Sequence, residues 1–265
     1  MVTHPLDPGV SSRTAPAVTA RITACRIRHI PPPTLRIVLR VNVVVPVHNE
    51  SSALPLLLDR LRDMHAAAAT DVVIVDGMST DGTASALRSS GLPYAAAPRG
   101  RASQMNAGAA LGDGEIILFL HADTELPAGA LKSIRAAIDD GASGGFFRLR
   151  LNSVRPLLGL IGRMITIRSR LTGIATGDQA MFVRRDVFDH LGGFPPLPLF
   201  EDVQFSAQLR RTGRVARLND TVVTSARRWE QCGPVRTILK MWLLRAAHAL
   251  GMSPLTLARF YEASR

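Results

Sequence analysis

From Val41 onward, apolar residues come in short unbroken runs that alternate with stretches at helical spacing. VNVVVPV (Val41–Val47), DVVIVD (Asp71–Asp76) and EIILFL (Glu115–Leu120) are short, mostly β-branched and bounded by turn residues. Each predicts a strand buried on both faces. Between them, Ser51–Ala66 places Leu54, Leu57, Leu58 and Leu61 at helical spacing. Thr80–Ser90 predicts a short helix, Pro93–Ala97 a weaker strand, and Arg101–Leu111 an Ala-rich helix. Further on, the pattern predicts a helix with Pro127 in its first turn and its end near Asp139. There follow an alternating strand over Gly144–Leu151, an apolar helix over Pro156–Leu171 and a short strand over Gln179–Val183. A helix over Asp202–Arg211 and a last strand over Val215–Ser225 complete the series. Strands alternating with helices imply βαβ units, hence an α/β fold with a mostly parallel central sheet flanked by helices.

Residues 1–40 contain Pro31-Pro32-Pro33, scattered Arg and no sustained periodicity. They predict a flexible basic extension, or an upstream start that the fold does not need. The expected organisation is an extension at 1–40, the main domain at 41–225 and a C-terminal amphipathic helical segment at 226–265. The N-terminus has no charged stretch followed by an apolar one, so no signal peptide is expected. No run of 18 apolar residues occurs either, so no spanning helix is expected. The two cysteines, Cys25 and Cys232, make neither a disulfide framework nor a metal site and suit a reducing compartment. A cytoplasmic location follows as the expectation, with the inner face of the plasma membrane as its extension.

The net charge of +11 is unevenly placed. Residues 1–40 carry +5, residues 41–202 carry −2, and residues 203–265 carry +8. An ordinary enzyme-like body therefore has basic ends, which attract anionic partners such as lipid or a phosphorylated substrate. No basic motif interleaved with aromatics occurs, so nucleic acid is not an expected partner.

The candidate chemistry lies at the ends of the predicted strands, where open α/β sheets bind ligands. Asp123, in FLHADTELP, is a hard oxygen ligand suited to hold Mg²⁺ or Mn²⁺ against a diphosphate, or else a helix cap. PVHNE (Pro46–Glu50) ends the first strand, with Asn49 and Glu50 as ligand contacts or as caps. In VDGMSTDGT, Asp76 accepts from a base or ribose, or serves only the turn. Arg99 and Arg101 precede a helix N-terminus, an arrangement suited to diphosphate; as bare surface arginines they would need no ligand. GDQAMFVRR (Gly177–Arg185) and LFEDVQFSAQLRR (Leu199–Arg211) follow, and Glu201-Asp202 would suit a helix's first turn for dipole reasons alone.

In this order, the motifs carry a resemblance. From about Val43 to Arg211 the chain resembles the family 2 glycosyltransferases, which have the GT-A fold. Within the family, FLHADT with GDQ and FED looks closest to a bacterial subgroup of short members. The resemblance implies an inverting glycosyltransferase that moves a sugar from a nucleoside-diphosphate sugar to an acceptor hydroxyl. It makes 41–225 the GT-A catalytic domain. Pro46, Asn49 and Glu50 would line the nucleotide pocket, Asp76 would bind the nucleobase, and Arg99 and Arg101 would lie beside the diphosphate. Asp123 would ligate the divalent cation, Mn²⁺ or Mg²⁺, and Asp202 would be the general base with Glu201 beside it. Gly177, Asp178 and Gln179 would face the acceptor. Two positions depart from the family pattern. His121 stands where the first Asp of Asp-x-Asp is expected, and Gly77 stands where VDDGS has its second Asp. His121 can ligate a cation, contact ribose or only bond to backbone. The departures keep a second reading open, a catalytically inactive nucleotide-sugar-binding or peripheral membrane scaffold protein.

The acceptor is the least specified partner. Asn152–Thr176 is apolar with Arg155, Arg163, Arg168 and Arg170 interspersed, and suits an acceptor wall or a packing helix with snorkelling arginines. On a helix over Val235–Leu250, Ile238, Leu239, Trp242, Ala246, Ala249 and Leu250 share one face. Arg236, Lys240, Arg245 and His248 lie largely opposite. The apolar face is expected to dock on the catalytic domain, with an anionic membrane surface as the other reading. A lipid-like or carotenoid-like acceptor is compatible with either.

Overall fold

The computed structural model describes residues 38–262. Nearly all of the expected N-terminal extension, with Cys25, lies outside the described residues. The chain begins with β1 (Val41–Val47), α1 (Leu54–His65), β2 (Thr70–Asp76), α2 (Thr83–Arg88) and β3 (Tyr94–Ala96). It continues through α3 (Arg101–Leu111), β4 (Ile116–Phe119), β5 (Thr124–Glu125), α4 (Ala130–Asp139) and β6 (Gly144–Asn152). Next come α5 (Pro156–Thr172), a 3-10 turn at Gly177–Gln179, β7 (Phe182–Arg184), α6 (Arg185–His190) and α7 (Glu201–Thr212). The last strand, β8 (Val215–Ser225), precedes α8 (Arg227–Cys232), α9 (Pro234–Ala249) and α10 (Pro254–Glu262).

The strands form one eight-stranded sheet in the order β3-β2-β1-β4-β7-β6-β8-β5. β1 pairs in parallel with both β2 and β4, β2 with β3, and β6 with β8. The turns of direction come at β4/β7, β6/β7 and β5/β8, which are antiparallel. The apolar runs are continuous because alternate residues serve opposite faces. Val43, Val45, Ile74 and Leu118 face one core with Leu54 and Leu61 of α1 and Ile134 of α4. Val44, Val75, Ile117 and Phe119 face the other with Met105 of α3 and Phe205 of α7. Phe119, Phe188, Phe194 and Phe205 pack ring to ring there, with centroids 4.4–6.0 Å apart.

Three local expectations are corrected. Pro127 does not enter α4: its carbonyl accepts from the Ala130 N–H at 3.1 Å, and Gly129 sits in left-handed backbone at φ 79° before the helix starts. Gln179 is not in a strand. A reciprocal Thr176–Gln179 capping box holds Gly177–Gln179 in its 3-10 turn, and β7 begins only at Phe182. α9 docks by the side opposite to the one expected. Leu244 is buried, and Arg245 and His248 are half-buried, while Leu239, Trp242 and Leu250 stand exposed. Phe200 stacks on the His248 ring at 5.2 Å, so these inward polar groups have partners to turn toward.

Candidate active site

The parallel strands bring their C-terminal ends to one edge, with Val47 opposite Asp76 and Val44 opposite Phe119. Two of the loops that leave this edge are laced together. Asn49, in left-handed backbone at φ 54°, donates its N–H to Ser79 Oγ at 2.9 Å and accepts the Thr80 N–H on Oδ1 at 2.8 Å. An Asn tolerates that backbone better than other residues with a side chain. The Glu50 N–H donates to Thr83 Oγ1 at 3.0 Å, and the Ser51 N–H to Asp81 Oδ2 at 3.0 Å. Asp76 is buried and accepts the Ser79 N–H at 3.1 Å. Asn49 and Asp76 therefore hold the loops in shape and are not on the cavity wall. Gln104 of α3 ties the same strand ends from beneath, donating to the carbonyls of Val47 at 2.7 Å and Val75 at 2.9 Å. A Cβ on Gly77 would come 3.0 Å from that amide, whose end would have to give by a few tenths of an ångström.

A cavity of about 250 Å³ opens beside this edge. Pro46 and Glu50 from the β1 exit, Arg99 and Arg101 at the start of α3, His121 and Asp123 after β4, and Glu201 at the start of α7 share its wall. Seven of the residues singled out in the sequence thus converge, from segments up to 155 positions apart. A second cavity, of about 240 Å³, lies on the other side of Asp123 and shares Glu50, Ala122 and Asp123 with the first. Arg60, Glu125 and Arg227 line it, and Arg227 approaches Glu50 at 3.6 Å. The sequence did not single out Arg60 or Arg227, which sit in no motif, nor Gln104, which lies in the Pro98–Ala109 segment where only Arg99 and Arg101 stand out.

Burial and Arg101 hold the His121 imidazole down at about 3, so the ring is neutral at physiological pH and has a lone pair to offer. Burial and neighbouring Asp202 push the Glu201 carboxyl up to about 7. Asp202 sits just behind the wall. Its Oδ2 accepts the Gly177 N–H at 2.7 Å and its Oδ1 the Val203 N–H at 2.7 Å. Asp178 is raised by burial, and its charged neighbours include Asp202, Arg101 and Arg168. Gln179 is fully buried, donating to the Phe147 carbonyl at 3.0 Å and Ser169 Oγ at 2.9 Å, so it braces the fold and does not face a ligand. Arg168 of α5 and Arg245 of α9 also face Asp178 and Asp202, and burial holds Arg168 down at about 10. Nε and Nη2 of Arg168 and Nε of Arg245 are buried without a hydrogen-bond partner.

Among the described residues, no three His, Cys, Asp or Glu side chains cluster to hold a metal ion. Mg²⁺ and Mn²⁺ do not need such a cage when a substrate diphosphate supplies oxygens, because one or two protein groups then suffice. Asp123 with the neutral His121 fits that donor set.

Residues 42–192 match the family described as Glycosyl transferase family 2. A mannosyltransferase from Pyrobaculum calidifontis, solved with GDP-Man and Mn²⁺, is 25% identical with a TM-score of 0.55, over 70% of this chain and 56% of that one. Residues 1–349 of TarS from S. aureus share the fold, at 20% identity and a TM-score of 0.57 over 71% of this chain and 61% of that one. Over a segment of 45 residues the chain is 49% identical to an undecaprenyl-phosphate mannosyltransferase of Micrococcus luteus, which is 17% of this chain and 18% of that protein. The chain thus spans less than two thirds of the length of each of these relatives. With the match running over more than half of its residues, the chain belongs to glycosyl transferase family 2.

Proposed function

We propose that this chain transfers a sugar from a nucleoside-diphosphate sugar to an acceptor hydroxyl, with inversion at the anomeric carbon. The observation that carries this reading is the convergence of Arg99, Arg101, His121, Asp123 and Glu201 on one cavity at the carboxyl edge of the sheet. Arg99 and Arg101, at the N-terminus of α3, bind the diphosphate through charge and the free N–H groups of the first turn. Asp123 and His121 would hold the divalent cation, which when bound would offset the negative charge on the departing diphosphate. The acceptor oxygen bonds to the anomeric carbon from the face opposite the leaving group. The carbon–oxygen bond to the diphosphate breaks, and the acceptor proton passes to Asp202. Gly177 fixes the Asp202 carboxylate through its N–H, and Asp178 lies beside it on the acceptor side.

A second reading of the base rests on a specific observation. Glu201 lines the cavity and is held at about 7, near the optimum for proton transfer at neutral pH. It would then take the proton while Asp202 keeps its carboxyl poised. The rival function, a nucleotide-sugar-binding scaffold without turnover, is separated from both by one assay. Release of nucleoside diphosphate from GDP- and UDP-sugars is measured with Mn²⁺ for the wild type and for Asp123→Asn, Asp202→Asn and Glu201→Gln. Release that Asp123→Asn and at least one of the carboxyl variants abolish supports transfer. Binding without release by the wild type, with any acceptor supplied, supports the scaffold.

A further inference from the structure

Nineteen large hydrophobic residues stand exposed among the described residues, and fourteen of them lie in the two short segments 154–171 and 235–260. That concentration is not what scattered surface apolar residues look like. On α5, Leu157, Leu160, Met164, Ile167 and Leu171 recur every three or four positions and make one exposed stripe. On α9, Val235, Leu239, Trp242 and Leu243 make another, continued by Leu250 at its C-cap. The helices are neighbours: Leu158 and Ile161 of α5 share a buried cluster with Ile238 of α9 and Trp229 of α8.

Within these segments the charge is of one sign, with the exposed Glu230, which accepts from Ser153 Oγ at 2.7 Å, at their edge. No Asp or Glu occurs from 153 to 177 or from 231 to 261. Arg155, Arg163, Arg236 and Arg259 stand exposed within those segments. A second copy of the chain would bring the same positive face against it. Residues 1–37 carry five Arg and one Asp, so their charge does not complement this surface either. An apolar stripe flanked mainly by cations complements an anionic bilayer, whose headgroups take the arginines while the acyl boundary takes Trp242 and the aliphatic side chains.

The opposite side of α9 belongs to the active site. Leu244 packs in one cluster with Leu199, Leu257 and Ala258, and Leu199 and Ala258 line the cavity beside Glu201. Arg245 faces Asp202 and Asp178 from the same helix. We propose that the exposed faces of α5 and α9 seat this protein on an anionic membrane surface, and that the cavity takes its acceptor from that bilayer. The docking surface stands by itself; the origin of the acceptor rests on the transfer reading above.

The test is flotation of the full chain with vesicles of phosphatidylcholine alone, and with about one third phosphatidylglycerol added. No nucleotide sugar is present, so the outcome is independent of catalysis. Binding to the anionic vesicles is expected, about tenfold weaker on the neutral ones. Leu239→Glu/Trp242→Glu and Leu160→Glu/Ile167→Glu, all at exposed positions, are expected to abolish it with Tm unchanged, whereas Leu111→Glu, exposed elsewhere, leaves it intact. Three results would overturn the proposal: no flotation by the wild type, flotation that neither double variant weakens, or a wild-type dimer in sedimentation equilibrium that both variants dissolve. A double variant that no longer floats but still releases nucleoside diphosphate separates the two readings, since the docking surface and the chemistry then fail or survive apart.

Discussion

His121 occupies the space where a side chain at position 177 would go: a Cβ on Gly177 would lie 2.6 Å from both Cε1 and Nε2 of the imidazole. The same Gly177 gives its N–H to Asp202. One residue without a side chain therefore sets the spacing between the His121 ring and the Asp202 carboxylate. Gly177→Ala must push the buried ring aside. Overpacking of this kind costs about 1–3 kcal/mol. Thermal unfolding is expected to show a lowered Tm, and titration with nucleoside diphosphate a weakened affinity.

The two perturbed groups of the cavity make opposite contributions to the pH dependence of stability. His121, ordinarily near 6.5, is held at about 3, so between those values the unfolded chain binds the extra proton and stability rises with pH. Glu201, ordinarily near 4.5, is held at about 7, so between those values the native state binds the extra proton and stability falls as pH rises. Glu201→Gln removes only the second contribution. The difference in stability between variant and wild type is expected to shift in the variant's favour on going from pH 5 to pH 8, by on the order of 3 kcal/mol. Paired denaturant titrations at the two pH values check it.

Kinetics separate the two candidate bases. With Asp202 as the base, Asp202→Asn loses about 10²–10⁴-fold in kcat while nucleotide binding is kept, and Glu201→Gln retains most of its rate. With Glu201 as the base, kcat/KM of the wild type rises through about pH 7, and that rise disappears in Glu201→Gln.

Gln104 is expected to matter for stability well before it matters for chemistry. Gln104→Ala strips the amide donor from two carbonyls at the ends of β1 and β2. The Val47 carbonyl keeps its bond from the Gly77 N–H at 2.9 Å, so each hydrogen bond lost costs about 0.5–1.5 kcal/mol. A lowered denaturation midpoint is expected, and Gly77→Ala should lower it less, because the amide end of Gln104 can give by a few tenths of an ångström.

The βα frame was legible in the sequence because its strands are buried on both faces, which leaves continuous apolar runs such as Val41–Val47. β5 was not, since two residues are too few to show a period. The motif residues were legible as a set but not in their division of labour. Asn49 and Asp76 lie in the right loops, yet their hydrogen bonds go to Ser79 and Thr80, a matter of loop geometry that spacing does not encode. α9 misled because amphipathicity says that a helix has an apolar face, not that this face points inward. Arg245 and His248 turn toward Asp178, Asp202 and Phe200, and the apolar stripe is left outside. Arg168 and Arg245 could be placed near the carboxylates only by the fold, since 77 residues separate them in the chain.

The central claim is that the Asp123 cavity holds a nucleotide sugar together with a divalent cation. Thermal unfolding of the wild type and of Asp123→Asn, with GDP- and UDP-sugars and with or without Mn²⁺, tests it most directly. A ligand at 100 times its Kd stabilises the native state by about 2.7 kcal/mol, which for a domain of this size raises Tm by roughly 5–10 °C. A rise of that order for the wild type with one nucleotide sugar and Mn²⁺, and its loss on omission of the metal or in Asp123→Asn, is the predicted result. A wild-type Tm that no nucleotide sugar moves, or a rise that Asp123→Asn retains in full, would contradict the claim.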